Sequence, residues 1–191
     1  MLRARIIPCL LIRQGGLVKT EKFQNHKYVG DPINAVKIFN EKQADELMVL
    51  DIDATVNKRE PEYELIKNLA TECRMPLCYG GGISTVEQAK YIIGLGVEKI
   101  SISYAAIENP DIITGIAREI GSQSIVVVLD IKKEKSFFRE YYGIRSHNGF
   151  KTYKLDLIEF VKKIESAGAG EIIINSIDND GVQGGHDIKL A

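Results

Sequence analysis

The sequence predicts an α/β fold, a (β/α)8 TIM barrel, and three observations carry that reading. Apolar strands alternate with amphipathic helices, so every connection runs strand, helix, parallel strand. Ala44-Asp45-Glu46-Leu47-Met48-Val49-Leu50-Asp51-Ile52-Asp53 reappears as Ala169-Gly170-Glu171-Ile172-Ile173-Ile174-Asn175-Ser176-Ile177-Asp178, and Ile6 to Leu11 overlays Ile125 to Asp130. Self-similarity at a shift of about 120 to 125 residues marks two similar halves. An open doubly wound sheet competes, but about four βα units per half favours the barrel, which two such halves close at about 250 residues. On that count residues 1–191 are a single barrel domain holding about six of eight units, with the C-terminal quarter absent.

The first strand is expected near Ile6 to Leu11, followed by a polar, glycine-containing loop from Arg13 to Gly30. Asp31-Pro32 then starts a helix, with a side-chain acceptor at the N-cap and proline at the first helical position. Strand two is Leu47 to Leu50, and Leu65, Ile66 and Leu69 give a helix from Pro61 to Cys73 its apolar face. Strand three, Leu77 to Tyr79, stops at Gly80-Gly81-Gly82. Ser84 with Glu87 reads as a capping box for a helix reaching Leu95. Strand four is Lys99 to Ile102, and Asn109-Pro110 opens the next helix. Strand five, Ser124 to Ile131, is rich in β-branched residues. Lys132 to Lys154 reads as a protruding β-ribbon, Leu155 to Ala167 as a helix, and Glu171 to Asn175 as strand six.

A net charge of −1 gives no bulk attraction to nucleic acid or an anionic membrane. Cys9, Cys73 and Cys78 lack metal-ligand or CxxC spacing, which fits a reducing cytoplasm. The apolar run after Met1 to Arg5 is too short for a signal peptide or a membrane span. His26, His147 and His186 are scattered, so neither a metal nor a cofactor is expected.

In a barrel the loops after the strands form the active face. Leu11, Lys19, Asp51, Gly80 to Gly82, Ser103, Asp130, Asp178 and Asp180 fall there. The acidic strand ends Asp51, Asp130 and Asp178 are read either as an acidic rim or as helix caps and Asx turns. The triple glycine before a capped helix brings backbone N–H groups toward an anion, or simply makes a tight turn. At the opposite end Arg5, Glu46, Lys99 and Glu171 each stand at the start of a different strand. They are read as a charged ring across the barrel mouth or as ordinary surface charges.

Arg5-Ile6-Ile7-Pro8-Cys9-Leu10, Gly30-Asp31-Pro32, Tyr79-Gly80-Gly81-Gly82-Ile83, Glu108-Asn109-Pro110, Gly168-Ala169-Gly170-Glu171-Ile172 and Ser176-Ile177-Asp178-Asn179-Asp180-Gly181 resemble the HisF family, the cyclase subunit of imidazole glycerol phosphate synthase. The resemblance runs the whole chain in order. It implies a barrel of the HisA/HisF ribulose-phosphate-binding type, paired at its N-terminal face with a HisH-type glutaminase. Ammonia released there would pass through the barrel to a phosphorylated or sugar small-molecule substrate. By the same resemblance Arg5, Glu46, Lys99 and Glu171 are the ammonia gate. Asp130 is one of two catalytic aspartates. Lys19, Asp51, Gly82, Ser103, Asp178, Asp180 and Gly181 are the substrate side.

Two positions depart from the family pattern. Leu11 stands where the second catalytic aspartate is expected, and Ser103-Tyr104 replaces a phosphate-contacting Asn-Thr pair. Pro8-Cys9-Leu10-Leu11-Ile12 and Gly16-Leu17-Val18-Lys19-Thr20 resemble instead the WbuZ-type paralogues. Those are associated with acetamidino modification of surface polysaccharides and with passing ammonia toward amidation of an acetamido sugar. The alternative is a working cyclase of L-histidine biosynthesis that forms imidazole glycerol phosphate and AICAR.

Overall fold

The computed structural model describes residues 4–136 and 139–190. Their order is β1 (Cys9–Arg13), β2 (Gly16–Glu21), β3 (Gln24–Gly30), α1 (Pro32–Lys42), β4 (Leu47–Asp51), α2 (Tyr63–Glu72), β5 (Leu77–Gly80), α3 (Val86–Gly94), β6 (Lys99–Ile102), α4 (Tyr104–Glu108), α5 (Asp111–Ile120), β7 (Ile125–Ser136), β8 (Arg139–Ser146), β9 (Lys151–Tyr153), α6 (Leu157–Ala167) and β10 (Glu171–Ser176). Single 3-10 turns cover Ser122–Ser124 and Ile177–Asn179.

Parallel pairing runs β1-β4-β5-β6-β7-β10. The hairpin β2–β3 continues antiparallel from β1, and β8–β9 from β7. The fold is therefore α/β with a mostly parallel sheet. Among the described residues β1 and β10 are not hydrogen-bonded to each other, so the sheet is an open arc.

Side chains alternate across this sheet, as the two-residue strand period requires. Leu47, Val49, Leu77, Ile100, Val127 and Leu129 face outward and merge with Val36, Ile66, Leu69, Ile92, Ile113, Ile116 and Ile164 of the helices in one core. Burying each Leu or Ile contributes about 1.5–3 kcal/mol. The opposite parity, Met48, Cys78, Val126 and Val128, gathers with Ile7, Leu50 and Ile173 in a separate apolar cluster on the inner face.

Local chemistry accounts for the element starts. The Asp31 carboxylate accepts from the Asn34 N–H at 2.9 Å, with Pro32 at the first turn of α1, and Asp156 accepts likewise from Glu159 at 2.9 Å. The cap of α3 is Thr85, one residue beyond the expected Ser84. The Gln88 N–H donates to Thr85 Oγ1 at 3.1 Å, and Gln88 Oε1 accepts from the Thr85 N–H at 3.2 Å. Ser84-x-x-Glu87 and Thr85-x-x-Gln88 satisfy the same sequence pattern, so only the backbone turn chooses between them.

The segment expected as a loop from Arg13 to Gly30 is the hairpin β2–β3. Its tip, Lys22-Phe23, has both φ values positive (51° and 62°), a turn that Asn-Gly or Gly-Gly ordinarily announces. The first strand begins at Cys9 rather than Ile6, because Pro8 has no N–H for the ladder and contributes only its carbonyl, to Met48 N. Strand five and the ribbon are continuous in β7, and the short helix α4 had no separate expectation.

Candidate functional site

At the starts of the strands four charges form a closed ring. Arg5 donates to Glu46 at 2.8 Å and to Glu171 at 2.9 Å, and Lys99 donates to Glu46 at 2.7 Å and to Glu171 at 2.8 Å. Each cation bridges both carboxylates, so the ring is neutral as a whole. Glu46 is the most enclosed member, its side chain 3% exposed, whereas Arg5 reaches solvent at 46%. Hydrogen bonding to Glu171 raises the Arg5 pKa. At Lys99 burial works against the charged form, and the two carboxylates outweigh it and raise the pKa. At Glu171 burial is likewise outweighed, by Lys99 and Arg5, and its pKa lies below the usual value.

Beyond the ring lies the apolar inner cluster, whose Ile7, Met48, Leu50, Val128 and Ile173 line one part of a cavity of about 710 Å³. Register explains its lining: Leu11 sits beside Leu50, Leu50 beside Gly80, Gly80 beside Ser101, and Asn175 beside Asp130. Leu11 on β1 and Asp130 on β7 thus line one cavity. Asp130 accepts from Asn175 Nδ2 at 3.1 Å. Burial raises its pKa from 3.8 to about 7, against the lowering effect of Asn175. A carboxyl group so poised exchanges a proton near neutral pH. Cys9, on the same wall, is pushed up to about 12 by burial, so its thiol stays protonated.

The remaining candidates divide. Asp51, Gly82, Ser103 and Asp180 line the cavity. Gly82 has φ of +74°, and a Cβ there would lie 2.7 Å from the Arg59 carbonyl, so this turn requires glycine. Asp51 is committed to an Asx turn: its Oδ1 accepts from Asp53 N and Ala54 N at 3.0 Å each, and its Oδ2 pairs with Arg59 at 3.3 Å. Asp180 accepts from Thr20 Oγ1 at 2.7 Å and from Phe23 N at 2.9 Å, fixing the β2–β3 tip over the cavity.

Lys19, Asp178 and Gly181 lie outside the lining. Lys19 is exposed on β2 opposite Lys27, because the expected loop is a strand there. The Asp178 carboxylate is turned to the ribbon and accepts from Lys133 N at 2.8 Å. Gly181, at φ +69°, packs against the Thr20 carbonyl, where a Cβ would overlap it.

Among the described residues no group of three His, Cys, Asp or Glu is arranged to hold a metal ion. No helix among them is long and apolar enough to cross a membrane.

A family model described as "Histidine biosynthesis protein" matches residues 5–191. A protein of Vibrio vulnificus, provisionally named imidazole glycerol phosphate synthase subunit hisF3, is 60% identical over 98% of this chain and 72% of its own length. A similarly provisional HisF of Leptospira borgpetersenii is 54% identical over 100% of the chain and 74% of its length. The imidazole glycerol phosphate synthase subunit HisF of Exiguobacterium sibiricum is 40% identical over 100% and 75%.

The chain belongs to the HisF family of histidine biosynthesis proteins.

One wall of this HisF-family cavity is formed by Tyr104, Ser146, His147 and Asn148; sequence reasoning placed Tyr104 on the substrate side but not the other three together. His147-Asn148-Gly149 was legible as a turn of the ribbon, and φ values of 52°, 55° and 86° make it one. Nothing local in the sequence says that this turn folds back over the cavity. The ring of His147 meets Tyr104 edge-on at 4.6 Å, so the placement is a contact between distant segments.

Proposed function

We propose that this chain is the ammonia-accepting subunit of an imidazole glycerol phosphate synthase-type complex, with a HisH-type glutaminase at the face bearing Arg5, Glu46, Lys99 and Glu171. The succession along one axis of a neutral ring of four charges, an apolar interior and a cavity with a poised carboxyl group supports this reading. Ions crossing the apolar section lose hydration, whereas neutral NH3 loses far less. In the cavity, Asp130 is the proton-exchanging carboxyl group. Gly82 and Ser103 contact a phosphorylated or sugar substrate. The observation that carries the finer reading is Leu11. With leucine beside the reacting space, ring closure lacks one acid–base carboxylate, and the ammonia serves acetamidino modification of a sugar in polysaccharide biosynthesis.

A second reading, the L-histidine cyclase that yields imidazole glycerol phosphate and AICAR, is favoured by the Asp130 environment. The two separate in one genetic test. Expression in a histidine auxotroph lacking its cyclase should fail to restore growth if the chain serves sugar amidination; restored growth overturns that specialisation. Formation of imidazole glycerol phosphate from the ribulosyl precursor with ammonium salts is the matching assay in vitro. The glutaminase pairing is tested separately by co-purification with a HisH-type partner. Arg5→Ala together with Glu46→Ala should abolish capture, and capture that survives would place the partner elsewhere.

A further inference from the structure

Beside Asp130, three titratable groups on the cavity wall are committed. Asp51 and Asp180 hold backbone N–H groups, and Cys9 stays a thiol. His147 differs. Its Nδ1 is 2.9 Å from Ser146 Oγ, and Nδ1 is the ring nitrogen with a hydrogen-bond partner among the described residues. Ser146 is buried, and its Oγ also lies 3.2 Å from the Tyr153 hydroxyl. The Tyr153 hydroxyl donates to Glu108 at 2.8 Å, and Lys151 donates to the same carboxylate at 2.7 Å. Tyr104 fixes the ring plane from the other side. A chain Glu108–Tyr153–Ser146 therefore orients one ring nitrogen, which is the arrangement that leaves the other to work on a ligand. The residue is held at φ +52°, in the left-handed region that histidine enters more readily than most side chains.

We propose that His147 is the second acid–base group of this cavity, taking the role that Leu11 leaves empty. The inference rests on the reading that ammonia is consumed inside the cavity rather than merely passed through it. Addition of ammonia to a carbonyl carbon forms a C–N bond and opens the C=O π bond. The nitrogen sheds one proton to a base and the oxygen takes one from an acid. Asp130 and His147, on two walls of one cavity, supply the pair. The charged and titratable groups that pack on the ring or share its cavity are Glu108 and Tyr104 from α4, Lys151 and Tyr153 from β9, Cys9 from β1, Asp51 from β4 with Lys58, Arg59 and Glu60 after it, and Asp130 and Asp180.

Two measurements on the full chain test this. In the first, histidine-labelled protein is titrated by NMR, with His147 assigned by its loss in His147→Gln. Asp130→Asn should displace the His147 titration curve, because groups that exchange protons within one cavity titrate as a pair. Ser146→Ala should change its tautomer balance. A midpoint indifferent to Asp130→Asn overturns the pairing whatever the reaction.

In the second, turnover of the ribulosyl precursor with ammonium salts is followed against pH. His147→Gln should lower kcat by about 10²-fold or more with KM little changed and flatten one limb of the profile. His147→Asn, better suited to positive φ, replaces it if Gln does not fold. Adding Leu11→Asp to His147→Gln should restore most of the loss. Full kcat in both His147 variants overturns the proposal. Absence of turnover in the wild type counts instead against the cyclase reading, and the titration alone then decides whether the pair exists.

Discussion

At Asp130 burial sets the proton affinity. Its folded pKa is raised from 3.8 to about 7. Between those values the folded chain keeps a proton that the unfolded chain has released, so folding is linked to proton uptake. Stability from this group therefore falls as pH rises from about 4 to about 7 and is fully lost above that window. Asp130→Asn removes the penalty. Its Tm should exceed the wild-type value at pH 8 and match it near pH 4, as thermal melts at the two pH values would report; an equal difference at both pH values would contradict the assignment. Activity runs the other way, because the base form grows through pH 7, so any turnover that uses Asp130 as a base should rise across that range and vanish in Asp130→Asn. Leu11 was fully legible as the departure at the end of the first strand. His147 was not, because its value comes from Tyr104, Ser146 and Tyr153, whose convergence is a tertiary fact.

At the scale of elements, the parallel strands and the helices were readable from apolar runs and caps, and most boundaries moved by only a residue or two. Two failures have definite causes. The hairpin β2–β3 turns through Lys22-Phe23, residues that do not advertise positive φ. Its tip is held by Asp180, far along the chain, through Thr20 Oγ1, Phe23 N and the backbone bond from Lys22 N to the Asp180 carbonyl at 3.0 Å. Asp180→Ala should therefore speed amide exchange at Phe23 by roughly tenfold or more while leaving the β4–β7 ladder protected, since one lost charged hydrogen bond is worth about 1.5–3 kcal/mol. Uniform exchange across the chain would show that the carboxylate supports the whole fold instead. The cap of α3 was misplaced by one residue because the pattern fits twice. Thr85→Ala should cost about 1 kcal/mol in urea unfolding and Ser84→Ala only a few tenths. The reverse order would restore Ser84 as the cap.

Across the whole molecule two cations, Arg5 and Lys99, meet two carboxylates, Glu46 and Glu171, which occupy equivalent positions in the two halves of the sequence repeat. What the repeat could not supply was that each cation would span both carboxylates. Lys99→Met leaves the enclosed Glu46 with one partner, and truncating one side of such a pair typically costs about 3 kcal/mol. The same variant should uncouple glutamine-driven from ammonium-driven turnover by at least tenfold in a complex with the glutaminase, measured as the ratio of the two rates; an unchanged ratio would reduce the ring to a structural feature.

The four-charge ring also joins parts of the sheet that hydrogen bonds do not. Arg5 precedes β1 and Glu171 begins β10, the two margins of the arc, and their 2.9 Å contact spans the gap. The charged ring is thus also the clasp of the arc: parting Arg5 from Glu171 unfastens the seam between its margins. Salt that screens these ions should loosen the two margins from each other.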